Sequence, residues 1–312
     1  MEYILLIVGF FLLVKGADIF VDGSSNLAKF FRIPTLIIGL TIVAFGTSAP
    51  EAAVSVSASL KGANEIAVGN VVGSNICNLL LVLGLSSLFA TLKGKRQIIL
   101  KDYIFYLLST VVLILMLFDD FYMGKTKSTL SMSEGLILLC FLGVYIYSLI
   151  LSVISEKRLK VEKHKFTPKD LFYIIIGLLG VLVGGNFVVD SSVKIATNFG
   201  VSESVIALTI VAIGTSLPEL VTSVMAARKG EVDIAIGNVI GSNIFNIFFI
   251  LGISSTLSPI TVGINDLYDI LIMAASGVIV YFFLLKNKRI GRVKGAIMLL
   301  MYALYIAYIL IR

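Results

Sequence analysis

Histidine and cysteine are almost missing from this chain of 312 residues, which holds one of the first and two of the second. Cys77 and Cys140 both fall in apolar stretches, so no disulfide framework is expected. His164 sits in a charged loop and reads as a solvated side chain. Without clusters of either residue, a zinc, copper or iron site has no ligands to draw on. Charge is just as scarce: Asp, Glu, Lys and Arg make up 14% of the chain against 58% hydrophobic residues. The mean hydropathy is +1.03. A water-soluble domain of this length needs far more polar surface, so the composition excludes one.

Long apolar runs fill the chain instead. Crossing the hydrocarbon layer takes about 20 mainly apolar residues in a helix. Ten such segments fall near 3–22, 35–60, 66–90, 98–118, 130–154, 170–190, 203–227, 232–257, 267–285 and 294–311. They are too long, and too uniformly apolar, for the alternating strands of a membrane barrel, so strands are not expected. The first segment reads as a span and not as a signal peptide. "MEYILL" has no basic start and no small-residue cleavage site, and the segment recurs later in the chain.

The net charge of +6 could suggest a nucleic-acid partner, but its distribution points to a membrane. With the N-terminus outside and ten spans, 19 of the 25 Lys and Arg residues fall on the inner side and five on the outer, while Lys15 lies within the first span. The positive-inside rule therefore predicts a multi-pass protein of the cell membrane with both termini outside. Membrane lipid is the expected partner, and nucleic acid is not.

Adding 168 to a residue number maps the first half onto the second without a gap from about 13 to 90. "TIVAFGTSAPE" (41–51) meets "TIVAIGTSLPE" (209–219) with 9 of 11 positions identical. "AVGNVVGSNICN" (67–78) meets "AIGNVIGSNIFN" (235–246) with 9 of 12. Gly16 maps to Gly184, Asp22 to Asp190 and Ser86–Ser87 to Ser254–Ser255. An odd number of spans per copy forces the second copy to enter from the opposite side. The fold expected is all-α, ten transmembrane helices arranged as two inverted five-helix repeats, a pattern of secondary transporters. Residues 1–154 form the first repeat and 170–312 the second. The basic stretch 155–169, "SEKRLKVEKHKFTPK", is a cytoplasmic linker too short to fold alone.

The repeated words carry polar chemistry into apolar segments. Pro50 and Pro218 lack an N–H and crowd the carbonyls of Gly46 and Gly214, so the helix is expected to kink or unwind there. Freed backbone groups in hydrocarbon need polar partners. Thr47, Ser48, Thr215 and Ser216 supply hydroxyls at the breaks, and Glu51 and Glu219 supply carboxylates. A buried glutamate can be protonated structural glue, but two copies in the same oxygen-rich setting mark an ion pathway. No intramembrane Lys or Arg stands near either motif to balance the charge, so a bound cation is the better partner.

In the second word, Asn70, Ser74 and Asn78 fall on one stripe of a helix, as do their counterparts Asn238, Ser242 and Asn246. Gly69 and Gly73 form a ridge of small residues that admits a neighbouring helix. Ser74 and Asn78 offer neutral oxygens and read as ligands. Asn70 and Asn75 stay open between ligation and interhelical glue. Carboxylates, hydroxyls, amides and carbonyls together make an all-oxygen site, which suits hard cations such as Ca²⁺ and Na⁺.

With "GTSAPE…GNVVGSNICN" and "GTSLPE…GNVIGSNIFN", the chain resembles the cation/calcium exchanger superfamily, and within it the sodium/calcium exchangers of prokaryotic type. The resemblance covers the whole chain. It implies an antiporter, not an enzyme, that exchanges Na⁺ for Ca²⁺ by alternating access, functions as a monomer and uses no cofactor. It implies metal ligands at Ala44 (carbonyl), Thr47, Ser48, Glu51, Ser74 and Asn78, and at Ala212 (carbonyl), Thr215, Ser216, Glu219, Ser242 and Asn246. One position departs from part of the superfamily. Several archaeal members and the potassium-dependent exchangers carry Asp where this chain has Asn246, whereas animal potassium-independent exchangers carry Asn. The resemblance thus implies electrogenic exchange without potassium, and no large regulatory loop is present. The competing readings are a calcium/proton antiporter, with protons in place of sodium, and a cation channel. The channel is disfavoured because an inverted repeat around paired acids suits a carrier.

Overall fold

The computed structural model describes residues 1–94, 98–155, 167–200, 212–286 and 288–311, and over these the chain is helical with four short strands. Among the described residues, eight helices are long and apolar enough to cross a membrane. Thr35–Thr47 and Ala49–Leu60, bent by 48° at their junction, add a ninth as one broken span. The remaining expected segment, 203–227, lies partly outside the described residues.

Helix α1 (Glu2–Phe31) runs well past its apolar window. It stops where Arg32 turns left-handed at φ 55°, two residues before Pro34, which cannot continue a helix. The extension carries Ser24, Ser25, Asn26 and Lys29, and the apolar segment before it holds Asp18 and Asp22. Both are paired: Lys229 Nζ lies 2.7 Å from Asp18 Oδ1 and 2.6 Å from Asp22 Oδ1. Burial pushes the Lys229 ammonium down, but the hydrogen bonds and charges of the two aspartates outweigh it and raise it above the ordinary lysine value. Beside this pair, Ser25 Oγ donates to Glu231 Oε1 at 2.5 Å. The equivalents Lys61 and Asp190 are both exposed and make no ion pair with a described residue.

The repeat is visible in the element bounds. Helices α4 (Ala49–Leu60) and α5 (Asn64–Cys77) return 168 residues later as α11 (Leu217–Arg228) and α12 (Val232–Phe245). The stretches Ile66–Phe89 and Val232–Leu257 are the central ones: 72% and 89% of their most apolar windows are buried, against 22–39% for the other six. Helix α9 (Pro168–Asn198) starts at Pro168, with Thr167 N donating to Asp170 Oδ2 at 2.8 Å, and it packs antiparallel against α1. Their backbones touch through glycine. A Cβ on Gly16 would lie 2.7 Å from Val181 N and one on Gly184 2.5 Å from Leu13 N. On α12, Gly237 and Gly241 let Leu36–Ala44 approach in the same way. Their counterparts Gly69 and Gly73 have no described atom within 4 Å, and the equivalents of that approaching stretch are residues 204–212, nearly all outside the described residues.

Two features depart from the sequence reading. Strands do occur, as short ladders at helix ends outside the apolar segments. Strand β1 (Leu92–Lys93) pairs antiparallel with β4 (Arg289–Ile290), and β2 (Lys127–Leu130) with β3 (Ile260–Gly263). They tie up backbone groups where helices end, a need that hydropathy does not register. The second, among the described residues, is four π-helical turns, Gly39–Val43, Asn78–Val82, Ile98–Asp102 and Asn246–Leu251. Across the midline, α6 (Leu83–Phe89) packs on α15 (Arg292–Ile311), and α13 (Gly252–Leu257) packs on α8 (Met132–Ser155).

Candidate ion-binding site

The proline effect is local and occurs twice. Helix α3 (Ala44–Thr47) ends at Ser48, with φ −81° and ψ 6°, and α4 restarts with Pro50 in its first turn. Ser216 adopts φ −87° and ψ 3° between α10 (Ala212–Gly214) and α11. Proline in a first turn is well placed because its missing N–H would have no partner there. Each restart puts a glutamate, Glu51 or Glu219, in the first turn of its helix, at the positive end of the helix dipole.

The breaks from both copies meet. Ser48 Oγ donates to Glu219 Oε1 at 2.9 Å, across 171 residues of sequence. Ser242 Oγ reaches the same oxygen at 3.3 Å and the Ala44 carbonyl at 3.4 Å. Glu51 and Glu219 are close enough to interact electrostatically, and Ser216 stands beside Glu51. Thr47, Ser48, Glu51, Ser74, Asn78, Ser216, Glu219, Ser242 and Asn246 are all at most 2% exposed. Thr215 is half-buried, and Ala212 opens α10. The Ala44 carbonyl, Ser48, Glu51, Ser216, Glu219 and Ser242 are thus drawn from opposite halves to one place, while Asn78 and Asn246 bond to Asn243 and Asn75, and Thr215 to Asn70.

Burial alone would be destabilising here, because polar oxygens away from water need partners. Several have none. Glu219 Oε2, Ser74 Oγ, Asn78 Oδ1 and Asn246 Oδ1 are buried without a hydrogen-bond partner, and the carboxylate oxygens of Glu51 have only Ser216 beside them, with no hydrogen bond of ordinary geometry. All are oxygens that can accept, and a hard cation satisfies such atoms as a donor would. Among the described residues, no group of three or more His, Cys, Asp or Glu side chains gathers that could hold a metal. The acidic groups brought together here are the two glutamates.

Other asparagines in the words have different surroundings. Asn70 Nδ2 donates to Ser55 Oγ at 2.9 Å and Glu51 O at 3.2 Å, while its Oδ1 accepts from Thr215 Oγ1 at 3.3 Å. Asn238 repeats this with Ser223 Oγ at 3.0 Å and Thr47 Oγ1 at 3.1 Å. Both therefore hold helix to helix through these bonds. Ser55 and Ser223 escaped the sequence reading. They stand one helical turn after each glutamate, a spacing that could have found them.

Membrane-length helices that bring two buried glutamates together with hydroxyl and carbonyl oxygens suit an ion-transport protein. Within that class the chain belongs to the sodium/calcium exchanger protein family, whose model matches residues 1–151 and 169–311. It is therefore a member of the cation/calcium exchanger superfamily, a multi-pass antiporter. It is 36% identical to the putative antiporter CaxA of Alkalimonas amylolytica, over 97% of this chain and 96% of that one. It is 32% identical to the sodium/calcium exchanger MaX1 of Methanosarcina acetivorans, over 98% and 97%. Among solved structures it is similar to the sodium-calcium exchanger NCX_Mj soaked with 2.5 mM Na⁺ and 0.1 mM Ca²⁺. That match has a TM-score of 0.83 and 34% identity over 98% of this chain and 97% of the other.

Proposed function

We propose that the protein exchanges Na⁺ for Ca²⁺ across the cell membrane by alternating access, as a monomer, electrogenically and without potassium. The carrying observation is the set of buried oxygens without hydrogen-bond partners in the two repeated words, both glutamates included, found in a chain of the exchanger family. The ions are cargo, held in turn by Ala44, Thr47, Ser48, Glu51, Ser74 and Asn78 and by Ala212, Thr215, Ser216, Glu219, Ser242 and Asn246. In this reading ten spans form two inverted repeats, 1–154 and 170–312, joined by a cytoplasmic linker, and both termini lie outside. The antiparallel contact of α1 with α9, equivalent helices in the two copies, supports the inversion.

Charge arithmetic bears on coupling. Two carboxylates are neutralised by one Ca²⁺ or by two Na⁺, and burying net charge is unfavourable. The family resemblance implies about three Na⁺ per Ca²⁺, with the excess positive charge spread over neutral oxygens such as Asn78 and Asn246. One net charge then moves per cycle. Since 100 mV acts on one charge with about 2.3 kcal/mol, it should shift the calcium ratio at equilibrium about fifty-fold. Sodium-driven calcium uptake into liposomes at several clamped voltages tests this, and voltage-independent uptake would refute it. Uptake that vanishes without potassium would refute potassium independence, and uptake driven by a proton gradient alone would favour the calcium/proton reading.

Motion is assigned to α1 and α9, which lie outside the repeated words and slide as a gate past a fixed site. Lys229, clasping Asp18 and Asp22, ties α1 to the end of α11 in this state. Cysteines introduced by Asp22→Cys and Lys229→Cys and joined by a flexible, reducible thiol cross-linker should cut turnover at least about tenfold while calcium still binds, with recovery on reduction. Undiminished turnover of the cross-linked protein counts against a sliding α1.

A further inference from the structure

Asn75 and Asn243 are fully buried and occupy equivalent positions, 168 residues apart. Asn75 Nδ2 donates to the Asn243 carbonyl at 3.2 Å, and Asn243 Nδ2 donates to the Asn75 carbonyl at 3.2 Å. A backbone carbonyl can only accept, so both amide nitrogens must face these carbonyls and the assignment of O and N is fixed. Each Oδ1 then points the other way. Asn75 Oδ1 accepts from Asn246 Nδ2 at 3.0 Å, and Asn243 Oδ1 accepts from Asn78 Nδ2 at 3.0 Å. An amide oxygen cannot donate, so Asn78 and Asn246 are obliged to present their nitrogens to it. Their own oxygens are left buried and without a partner.

We propose that Asn75 and Asn243 are positioning residues: a crossed pair of amides, one from each copy, that turns the oxygens of Asn78 and Asn246 toward the cation and requires a hydrogen-bond donor at position 246. This rests on the reading of the site as a sodium and calcium site and adds the reason why its ligand at 246 is an amide. An amide that turns around offers a cation its nitrogen, which carries two N–H groups and repels it. Orientation therefore decides whether these side chains attract or repel the ion. An ionised aspartate at 246 would set an acceptor against Asn75 Oδ1 at 3.0 Å, with no proton between them.

The test is a sign reversal. Purified, detergent-solubilised protein is titrated with ⁴⁵Ca²⁺ at equilibrium, with monodispersity and Tm measured on each variant. Asn75→Ala frees the Asn246 amide to turn, and calcium affinity should fall by about tenfold or more. Asn246→Asp should weaken binding when Asn75 is present. Combined with Asn75→Ala it should restore or strengthen binding, because a carboxylate shows oxygen whichever way it turns and no acceptor then opposes it. A brace that only held the helices together would lower Tm without reversing that sign.

The mirror pair, Asn243→Ala with Asn78→Asp, carries the same test if Asn75→Ala is not monodisperse. Wild-type affinity in Asn75→Ala, or lost affinity that Asn246→Asp fails to rescue in a folded protein, overturns the proposal. Failure of both alanine variants to fold overturns it in favour of a purely structural brace. Those results leave the exchange reading standing, provided that the unmodified protein binds calcium. An unmodified protein that binds none sinks both.

Discussion

Glu51→Gln and Glu219→Gln should each abolish calcium exchange. Glutamine keeps the size and the acceptor oxygen, so Ser48 and Ser242 can still donate at position 219, and the helix breaks around it are undisturbed. What is lost is one of two negative charges in a place sealed from water, both residues being fully buried. One Ca²⁺ with a single carboxylate leaves the site at +1, and among the described residues no third acid gathers with the pair to compensate. Calcium affinity should fall at least about 100-fold, roughly 3 kcal/mol. The measurement is ⁴⁵Ca²⁺ binding to the purified variants, followed by sodium-driven uptake in liposomes. Normal exchange by either variant would overturn the assignment of the site.

Gly184→Leu should be nearly as damaging, by another route. The Cβ of any residue there would lie 2.5 Å from Leu13 N and 2.8 Å from Gly9 O, inside the van der Waals limit of backbone atoms that cannot rotate aside. Helices α1 and α9 must then separate, at a cost on the order of 1–3 kcal/mol for overpacking. A gate that slides along this seam loses its track as well. The expected result is a lowered Tm and exchange reduced more than about tenfold, with the ligands themselves untouched. A variant that keeps both wild-type Tm and wild-type turnover would show that the seam is not required.

The site was legible in the sequence to an unusual degree because its parts are written twice. The offset of 168 picked out Glu51 with Glu219 and Ser74 with Ser242, and Pro50 and Pro218 announced the breaks now seen at Ser48 and Ser216. Less visible was whatever depends on contacts between copies. "GSN" placed Asn75 beside the ligand stripe, but only the fold shows its amide crossing to Asn243. The π-helical turns that begin at Asn78 and Asn246 had no signal, since a wider turn alters hydrogen bonding and not hydropathy. The seam of α1 and α9 did have one: Gly9, Gly16 and Gly23 recur every seven residues, opposite Gly177 and Gly184. Hydropathy also shortened α1, because Ser24, Ser25, Asn26 and Lys29 are polar although the helix continues through them to Phe31.

The two β ladders have a consequence for how the chain holds together. β1 comes from the first copy and β4 from the second, while β2 comes from the first and β3 from the second. Helix α15 lies on α6, and α8 on α13, again across copies. Each half thus clasps the other with its trailing helices, as two hands do with interlaced fingers. The boundary at 155–169 divides the text of the protein but not its architecture. Two fragments cut there would each expose the apolar faces that the other now covers, and neither would have a finished interior alone. Made together in one membrane, two such fragments would meet through these same ladders and helix contacts.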